Sequence, residues 1–179
     1  MRYLSLLLLL VFDVSISFAL QVKEGAYSIG VLIPLSGGSS EQGKWIQRGL
    51  SLAKQEVESN NDVSLELIFE DTQGDTAQAV TAYKRIMSTG KPSVFFAWGS
   101  GIGLALTPLV NKDRIPLIGV ATGTPLYTSS DDYTFRNFPS AVDEALQSVK
   151  VVTEQLKAKR IAIFQIQNAY GEGAASAFE

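Results

Sequence analysis

The chain has 179 residues, of which 46% are hydrophobic and 18% charged, and its formal net charge is −3. This is ordinary globular composition with enough apolar residues for a core, and no basic stripe argues for a nucleic-acid partner. Cysteine and histidine are both absent. Their absence excludes thiol chemistry, haem ligation by histidine, His/Cys zinc sites and a Ser-His-Asp triad within these residues, and we expect no cofactor.

The first 19 residues have the pattern of a secretory signal peptide. Arg2 supplies a positive charge, an apolar run follows over residues 4–12, and Ser17-Phe18-Ala19 offers small residues before a cut after Ala19. The apolar run is too short to cross a hydrocarbon core of about 30 Å. We therefore expect residues 1–19 to be cleaved during secretion.

Six strand patterns alternate with helix patterns along the rest of the chain, which predicts an α/β doubly wound parallel sheet. Ligands of such sheets bind outside the carboxyl ends of the strands, so the loops after strands one, three and four are expected to line one edge. The expected strands are Tyr27–Pro34, Ser64–Phe69, Ser93–Ala97, Ile115–Val120, Thr134–Phe138 and Arg160–Ile166. The expected helices are Gln42–Ser59, Thr76–Ser88, one ending near Lys112, one from Ser140 to about Lys157, and a last one beginning after Gly173.

Local signals mark some of these boundaries. Asp75 is a good N-cap for the second helix, and Gly90 is a typical stop after it. The helical pattern from Ala174 to Glu179 has no capping residue after it. We therefore expect the sequence to be part of a longer protein, with a naturally frayed terminus as the alternative.

Two glycine patterns resemble nucleotide-binding motifs, but each lacks a residue that its motif requires. Gly38-x-x-x-x-Gly43-Lys44 lies between a strand and a helix, as a P-loop does, but the next residue is Trp45 instead of the Ser or Thr that holds magnesium. Glu41 also adds negative charge where phosphates would bind. The glycines at 99, 101 and 103 do not complete a dinucleotide fingerprint, which would need glycine at position 104.

The start of the third helix is a better candidate site. Free N–H groups there favour an anion, and Ser100 adds a hydroxyl donor, so a carboxylate is the expected partner. The stretch Ala121-Thr122-Gly123-Thr124 follows the next strand and offers carbonyls and two hydroxyls that suit an ammonium group. Together they predict a site for an α-amino acid. Trp98 either covers the apolar part of the ligand or packs in the core.

The carboxylates Glu70 and Asp71 end the second strand. They are either a metal pair or loop-capping groups. No histidine or second carboxylate cluster accompanies them, which favours loop capping.

Five ordered segments resemble the periplasmic leucine/isoleucine/valine-binding proteins, which are type I solute-binding proteins of ABC transporters. The resemblance extends over nearly all of the chain after the expected signal peptide. The segments are I-G-V-L-I-P-L-S-G (29–37), F-E-D-T-Q-G-D-T-A-Q-A-V (69–80), R-I-P-L-I-G-V-A-T-G-T-P-L-Y-T (114–128), F-R-N-F-P-S (135–140) and A-K-R-I-A-I-F-Q-I-Q-N-A-Y-G-E-G (158–173).

The resemblance implies a fold of two α/β lobes with a small molecule bound in the cleft between them. Residues 26–138 would form lobe one, and residues 139–179 the incomplete start of lobe two. It also implies a periplasmic protein that is not an enzyme and that passes its ligand to an ABC transporter permease. The alternative is a ligand-sensing domain of a receptor or regulator with the same fold.

The resemblance further implies roles for single residues. Ser100 matches a serine that binds the ligand carboxylate, Ala121 a backbone contact, and Tyr170 a lobe-two tyrosine that closes over the ligand. Gln42 stands where branched-chain amino acid binders have an aromatic residue. Gly123 replaces a threonine that helps to hold the amino group, with Thr122 and Thr124 beside it. The expected ligand is therefore a branched-chain-like amino acid, an amide or a short carboxylate.

Overall fold

A computed structural model describes residues 26–128 and 131–179; the expected signal peptide lies outside them. Within this part the chain alternates strands and helices, and most boundaries fall within two residues of those expected. The elements are β1 (Ala26–Ile33), α1 (Ser40–Asn60), β2 (Ser64–Asp71), α2 (Thr76–Thr89), β3 (Val94–Trp98), α3 (Ser100–Asp113), β4 (Leu117–Val120), β5 (Thr134–Arg136), α4 (Ala141–Lys150) and α5 (Ala169–Phe178).

The strands of the described part form one parallel sheet in the order β2-β1-β3-β4-β5. β1 lies between β2 and β3, with Val31 opposite Phe69 on one side and Phe96 on the other. The chain thus adds β2 on one side of β1 and then β3 to β5 on the other. This confirms the predicted doubly wound α/β sheet, whose order reverses at β1.

The main core lies where α2 and α3 pack against the sheet. Phe95 of β3 contributes a ring 4.7 Å from that of Tyr83 on α2, measured between centroids. Tyr83 also donates a hydrogen bond of 2.7 Å to Asp113 at the end of α3, which joins the two helices. Other core members are Leu32, Ala79, Ala82, Ile86, Ala97, Ile102, Leu106, Val110, Ile115, Leu117 and Tyr127.

The capping residues expected around α2 have the expected contacts. The Asp75 side chain accepts a hydrogen bond of 2.8 Å from the Gln78 N–H. The Gly90 N–H donates to the Ile86 carbonyl at 3.1 Å. These bonds satisfy backbone groups that a helix end leaves unpaired, and they confirm both predicted boundaries.

Gly43, the second glycine of the rejected P-loop pattern, has a packing role. A Cβ at this position would lie 1.7 Å from the Pro34 carbonyl oxygen. Lys44 pairs with Glu41 at 3.0 Å on the exposed side of α1. The glycine is therefore required for α1 to approach the end of β1.

The prediction of a sixth strand at Arg160–Ile166 is wrong. No strand forms over these residues in the described part of the chain, and a β-strand needs a neighbour for its N–H and C=O groups. The side chains of this stretch are largely exposed, Phe164 by 98%. The preceding helix is also shorter than expected, because α4 ends at Lys150 and continues only as a π-helical turn over Val151–Gln155.

Candidate functional site

A cavity of about 400 Å³ lies at the edge of the sheet where the strands end. The loops after β2, β3 and β4 form one side, and residues from the part of the chain after β5 form the other. This is the position at which ligands bind to doubly wound sheets. The lining residues are Gly74, Thr76, Trp98, Gly99, Ser100, Gly101, Ile102, Ala121, Phe138, Ile166, Asn168 and Tyr170.

The structure brings together part of the expected site. Four of the expected residues line the cavity: Trp98, Ser100, Ala121 and Tyr170. They come from distant parts of the sequence, from residue 98 to residue 170. The loop after β1 does not line it, in contrast to our expectation, and the loop after β2 does. Gln42 lies exposed on α1 and is not part of the lining.

The cavity wall at the start of α3 has the features of an anion site. Gly99 adopts φ 94°, a conformation that favours glycine, and it turns the chain from β3 directly into α3. The first turn of this 14-residue helix contains no acidic residue, and its first N–H groups have no acceptor within the helix. The positive end of the helix dipole therefore faces the cavity.

Ser100 is held in place by the neighbouring loop. The residue is 4% exposed, and its Oγ accepts a hydrogen bond of 3.3 Å from the Thr124 N–H. This bond joins the start of α3 to the loop after β4. It uses the serine as an acceptor, so the hydroxyl proton is available to a carboxylate oxygen in the cavity.

Thr122 and Thr124 lie behind the cavity wall and are 0% and 1% exposed. Their carbonyl oxygens accept hydrogen bonds of 3.3 and 3.1 Å from Nη1 of Arg136 on β5. Nη2 donates to the Thr128 hydroxyl at 3.0 Å, and the guanidinium carbon lies 5.6 Å from the centre of the Tyr127 ring. The loop after β4 is thus folded around Arg136, and two of the carbonyls expected to hold an ammonium group already have a cationic partner.

The loop after β2, which contributes Gly74 and Thr76 to the cavity, is organised by Asp71. Its carboxylate accepts hydrogen bonds from the Leu35 N–H (2.8 Å), the Ser36 N–H (3.2 Å), the Ser36 hydroxyl (2.5 Å) and the Gln73 N–H (2.8 Å). Burial acts to raise the pKa of this carboxyl, but these hydrogen bonds outweigh it and lower the pKa below 3.8.

These contacts confirm that Asp71 caps loops. Glu70 beside it pairs with Arg85 at 2.6 Å. Within residues 26–128 and 131–179, no three His, Cys, Asp or Glu side chains come close enough together to hold a metal ion.

The Tyr170 ring packs against Gly123 in the loop after β4. A Cβ at Gly123 would lie 2.9 Å from Cε2 of the Tyr170 ring and 3.5 Å from Cε1 of Phe138. The position that the family resemblance singled out as a departure is therefore the one at which the aromatic rings meet the loop. A side chain there would push Tyr170 away from its present place at the cavity.

Sequence reasoning missed the cavity residues Phe138, Ile166 and Asn168. Asn168 could have been recognised, because its Oδ1 caps α5 by accepting from the N–H groups of Tyr170 (3.1 Å) and Gly171 (3.0 Å). An asparagine directly before the first residue of a helix, here Ala169, is a typical N-cap. Phe138 and Ile166 carry no such local signal, since their position depends on how α4 and α5 pack.

The sequence model of the family described as periplasmic binding protein matches residues 26–179. The chain belongs to the periplasmic binding protein family. A Leu/Ile/Val-binding protein homologue of Brucella melitensis is 26% identical over 180 residues, which is 98% of this chain and 49% of the relative. The chain thus spans about half the length of this curated relative.

Solved structures show the same fold. The leucine-binding protein LivK of Thermotoga maritima superposes with a TM-score of 0.77 at 23% identity, over 85% of this chain and 44% of that protein. A solute-binding protein of an ABC transporter from Rhodopseudomonas palustris, in complex with 3,4-dihydroxybenzoic acid, gives 0.77 at 20% identity, over 86% and 43%. These similarities establish the type I periplasmic-binding-protein fold. In the described part of the chain, no helix is both long and apolar enough to cross a membrane.

Proposed function

We propose that the chain captures a small molecule in its cavity as part of an extracytoplasmic, periplasmic solute-binding protein that serves an ABC importer. One observation carries this proposal: a cavity of about 400 Å³ is lined both by the start of α3 and by Tyr170 on α5 and its N-cap Asn168. A volume of this order fits a small organic molecule. Family membership supports a binding role, and the proposal includes no chemical turnover.

The proposed mechanism is closure of a cleft between lobe one, residues 26–138, and the start of lobe two, residues 139–179. Ser100 would donate to a ligand carboxylate from lobe one, and Tyr170 would cover the ligand from lobe two. A ligand that contacts both sides favours the closed state by the free energy of those shared contacts. The candidate ligands are amino acids, amides and short carboxylates. The leucine and dihydroxybenzoate named for the two similar structures illustrate this range.

The first test is a thermal-shift screen of the complete protein against amino acids, amides, urea and small carboxylates. A ligand present at a hundred times its Kd should add about 2.7 kcal/mol to the free energy of unfolding. Stabilisation by one chemical class would support the proposal. The absence of a thermal shift with every compound of the panel, or turnover of a bound compound, would contradict it.

The second test is the variant Ser100→Ala, with Ser51→Ala as the matched control on the exposed side of α1. Loss of a hydroxyl bonded to a buried carboxylate should weaken binding by about 1–3 kcal/mol. Ser51 is exposed and does not line the cavity, so its variant should bind as the parent does. Equal affinity of the two variants, measured by calorimetry, would remove Ser100 from the proposed site.

A further inference from the structure

We propose that Arg136 is a positioning residue for the cavity. Its guanidinium holds the loop after β4, residues 121–128, in the conformation in which Thr124 fixes the hydroxyl oxygen of Ser100. Arg136 is not among the residues that line the cavity, so it acts on the cavity through this loop. The inference rests on the proposed function, because it assigns a role in the same site.

The loop after β4 has a strained backbone at both ends. Ala121 has φ 51° and Thr128 has φ 68°, and both values lie in the left-handed region, where a Cβ is penalised. Residues other than glycine keep such a conformation only where the surrounding contacts impose it. The loop therefore needs an anchor that prevents its backbone from relaxing.

Arg136 on β5 supplies this anchor, because it contacts the loop at several points along its length. Nη1 donates to the carbonyl oxygens of Thr122 at 3.3 Å and of Thr124 at 3.1 Å, and Nη2 donates to the Thr128 hydroxyl at 3.0 Å. The guanidinium carbon also lies 5.6 Å from the centre of the Tyr127 ring. A planar fork of five N–H donors can make these contacts together, whereas the ammonium group of a lysine cannot reproduce their geometry.

One of these hydrogen bonds leads to the candidate site. Thr124 is 1% exposed; its carbonyl accepts from Arg136, and its N–H donates to Oγ of Ser100 at 3.3 Å. The carbonyl of Gly123, just before it, accepts from the Ala141 N–H at 2.8 Å. Bonds on both sides of the Thr124 N–H therefore fix its direction, and through it the position of the Ser100 hydroxyl at the start of α3.

The test measures backbone amide exchange by NMR on the complete protein labelled with ¹⁵N-threonine. In Arg136→Lys, the Thr124 amide should exchange about fivefold faster than in the parent protein, because the loop no longer holds its N–H against Ser100. Thr107 on α3 is the internal reference, since a general loss of stability would accelerate the exchange of both amides alike. Equal acceleration of Thr124 and Thr107 would overturn the inference.

A double variant shows whether the effect of Arg136 passes through Ser100. In Ser100→Ala the Thr124 N–H has already lost its acceptor, so the addition of Arg136→Lys should change its exchange rate by less than about twofold. An effect of the same size in both backgrounds would contradict the proposed connection. Arg85→Lys is the matched control, because Arg85 pairs with Glu70 at 2.6 Å and does not line the cavity. Its variant should leave the Thr124 rate unchanged.

The thermal-shift screen, repeated with the two lysine variants, connects the loop to binding. Amino acids, amides, urea or small carboxylates that stabilise the parent protein should raise the Tm of Arg136→Lys by less than that of Arg85→Lys. Equal increases would overturn the positioning role. If no compound stabilises the parent protein, the proposed function fails, whereas the exchange experiment still decides whether Arg136 positions Ser100.

Discussion

Replacement of Asp71 by asparagine tests whether one carboxylate holds the loops after β1 and β2 together. The change keeps the side chain's size and one acceptor oxygen but removes the negative charge. Asp71 accepts four hydrogen bonds, three of them from Leu35 and Ser36 in the loop after β1 and one from Gln73. An amide NH₂ group in place of one oxygen would face donors that it cannot bind.

The expected cost follows from the bonds that change. Hydrogen bonds to a charged group contribute about 1.5–3 kcal/mol each, and a bond to a neutral group about 1 kcal/mol. Because these bonds lie at a partly exposed position, we expect a total loss of about 2–3 kcal/mol in the free energy of unfolding. Urea denaturation of the complete protein at pH 7 would measure it.

The pH dependence of the free energy of unfolding provides a second, independent test of the role of Asp71. The pKa of Asp71 is lower in the folded protein than its ordinary value of 3.8. Folding therefore gains stability from the ionised carboxylate above pH 3.8, and this gain is lost as the pH falls through the folded pKa. The stability difference between the parent protein and Asp71→Asn should be constant from pH 7 to about 5 and should shrink below pH 3.8.

Asp75→Asn is the control, because it makes the same substitution four residues away. Asp75 caps α2 with a single bond to the Gln78 N–H, and asparagine caps a helix about as well as aspartate. This variant should lose less than about 0.5 kcal/mol. Equal losses in the two variants, or an Asp71→Asn difference that does not vary with pH, would refute the role given to Asp71.

Three further substitutions probe packing and backbone geometry, each read from urea denaturation. Tyr83→Phe removes the hydrogen bond to Asp113 and should cost about 1–2 kcal/mol; an unchanged midpoint would mean that the bond does not join α2 to α3. Ala121→Gly should stabilise the fold by up to about 1 kcal/mol, because residue 121 has φ 51° in the left-handed region that penalises a Cβ; destabilisation would contradict that strain. Gly43→Ala places a Cβ 1.7 Å from the Pro34 oxygen and should cost at least about 3 kcal/mol, with a normal urea midpoint as the result against it.

The strands β1 to β4 and their helices could be predicted because their signals are local. Apolar runs, turn residues and caps such as Asp75 and Gly90 act within a few residues of the boundary that they mark. The strand predicted at Arg160–Ile166 has an equally clear local pattern. It fails because strand formation depends on a partner strand, and local pattern contains no information about whether one is present.

The candidate site was predictable in outline. The start of α3 and Ser100 follow from the rule that helix N-termini face the ligand edge of a doubly wound sheet. The partners of Thr122 and Thr124 do not, since Arg136 belongs to another strand and reaches their carbonyls across the turn of the loop. The sequence shows the run of carbonyls in this loop, but not the guanidinium to which two of them are bonded.

Glycine positions determine how closely the two sides of the cavity approach each other. The gap at Gly123 admits the Tyr170 ring, and a Cβ at Gly173 on α5 would lie 2.7 Å from Cδ of Pro125. Both close contacts join the loop after β4 to α5, and neither involves a charged pair. Side chains at these two positions would hold the sides apart and widen the cavity. The shape available to a ligand therefore depends on these two glycines as well as on the aromatic rings that line the cavity.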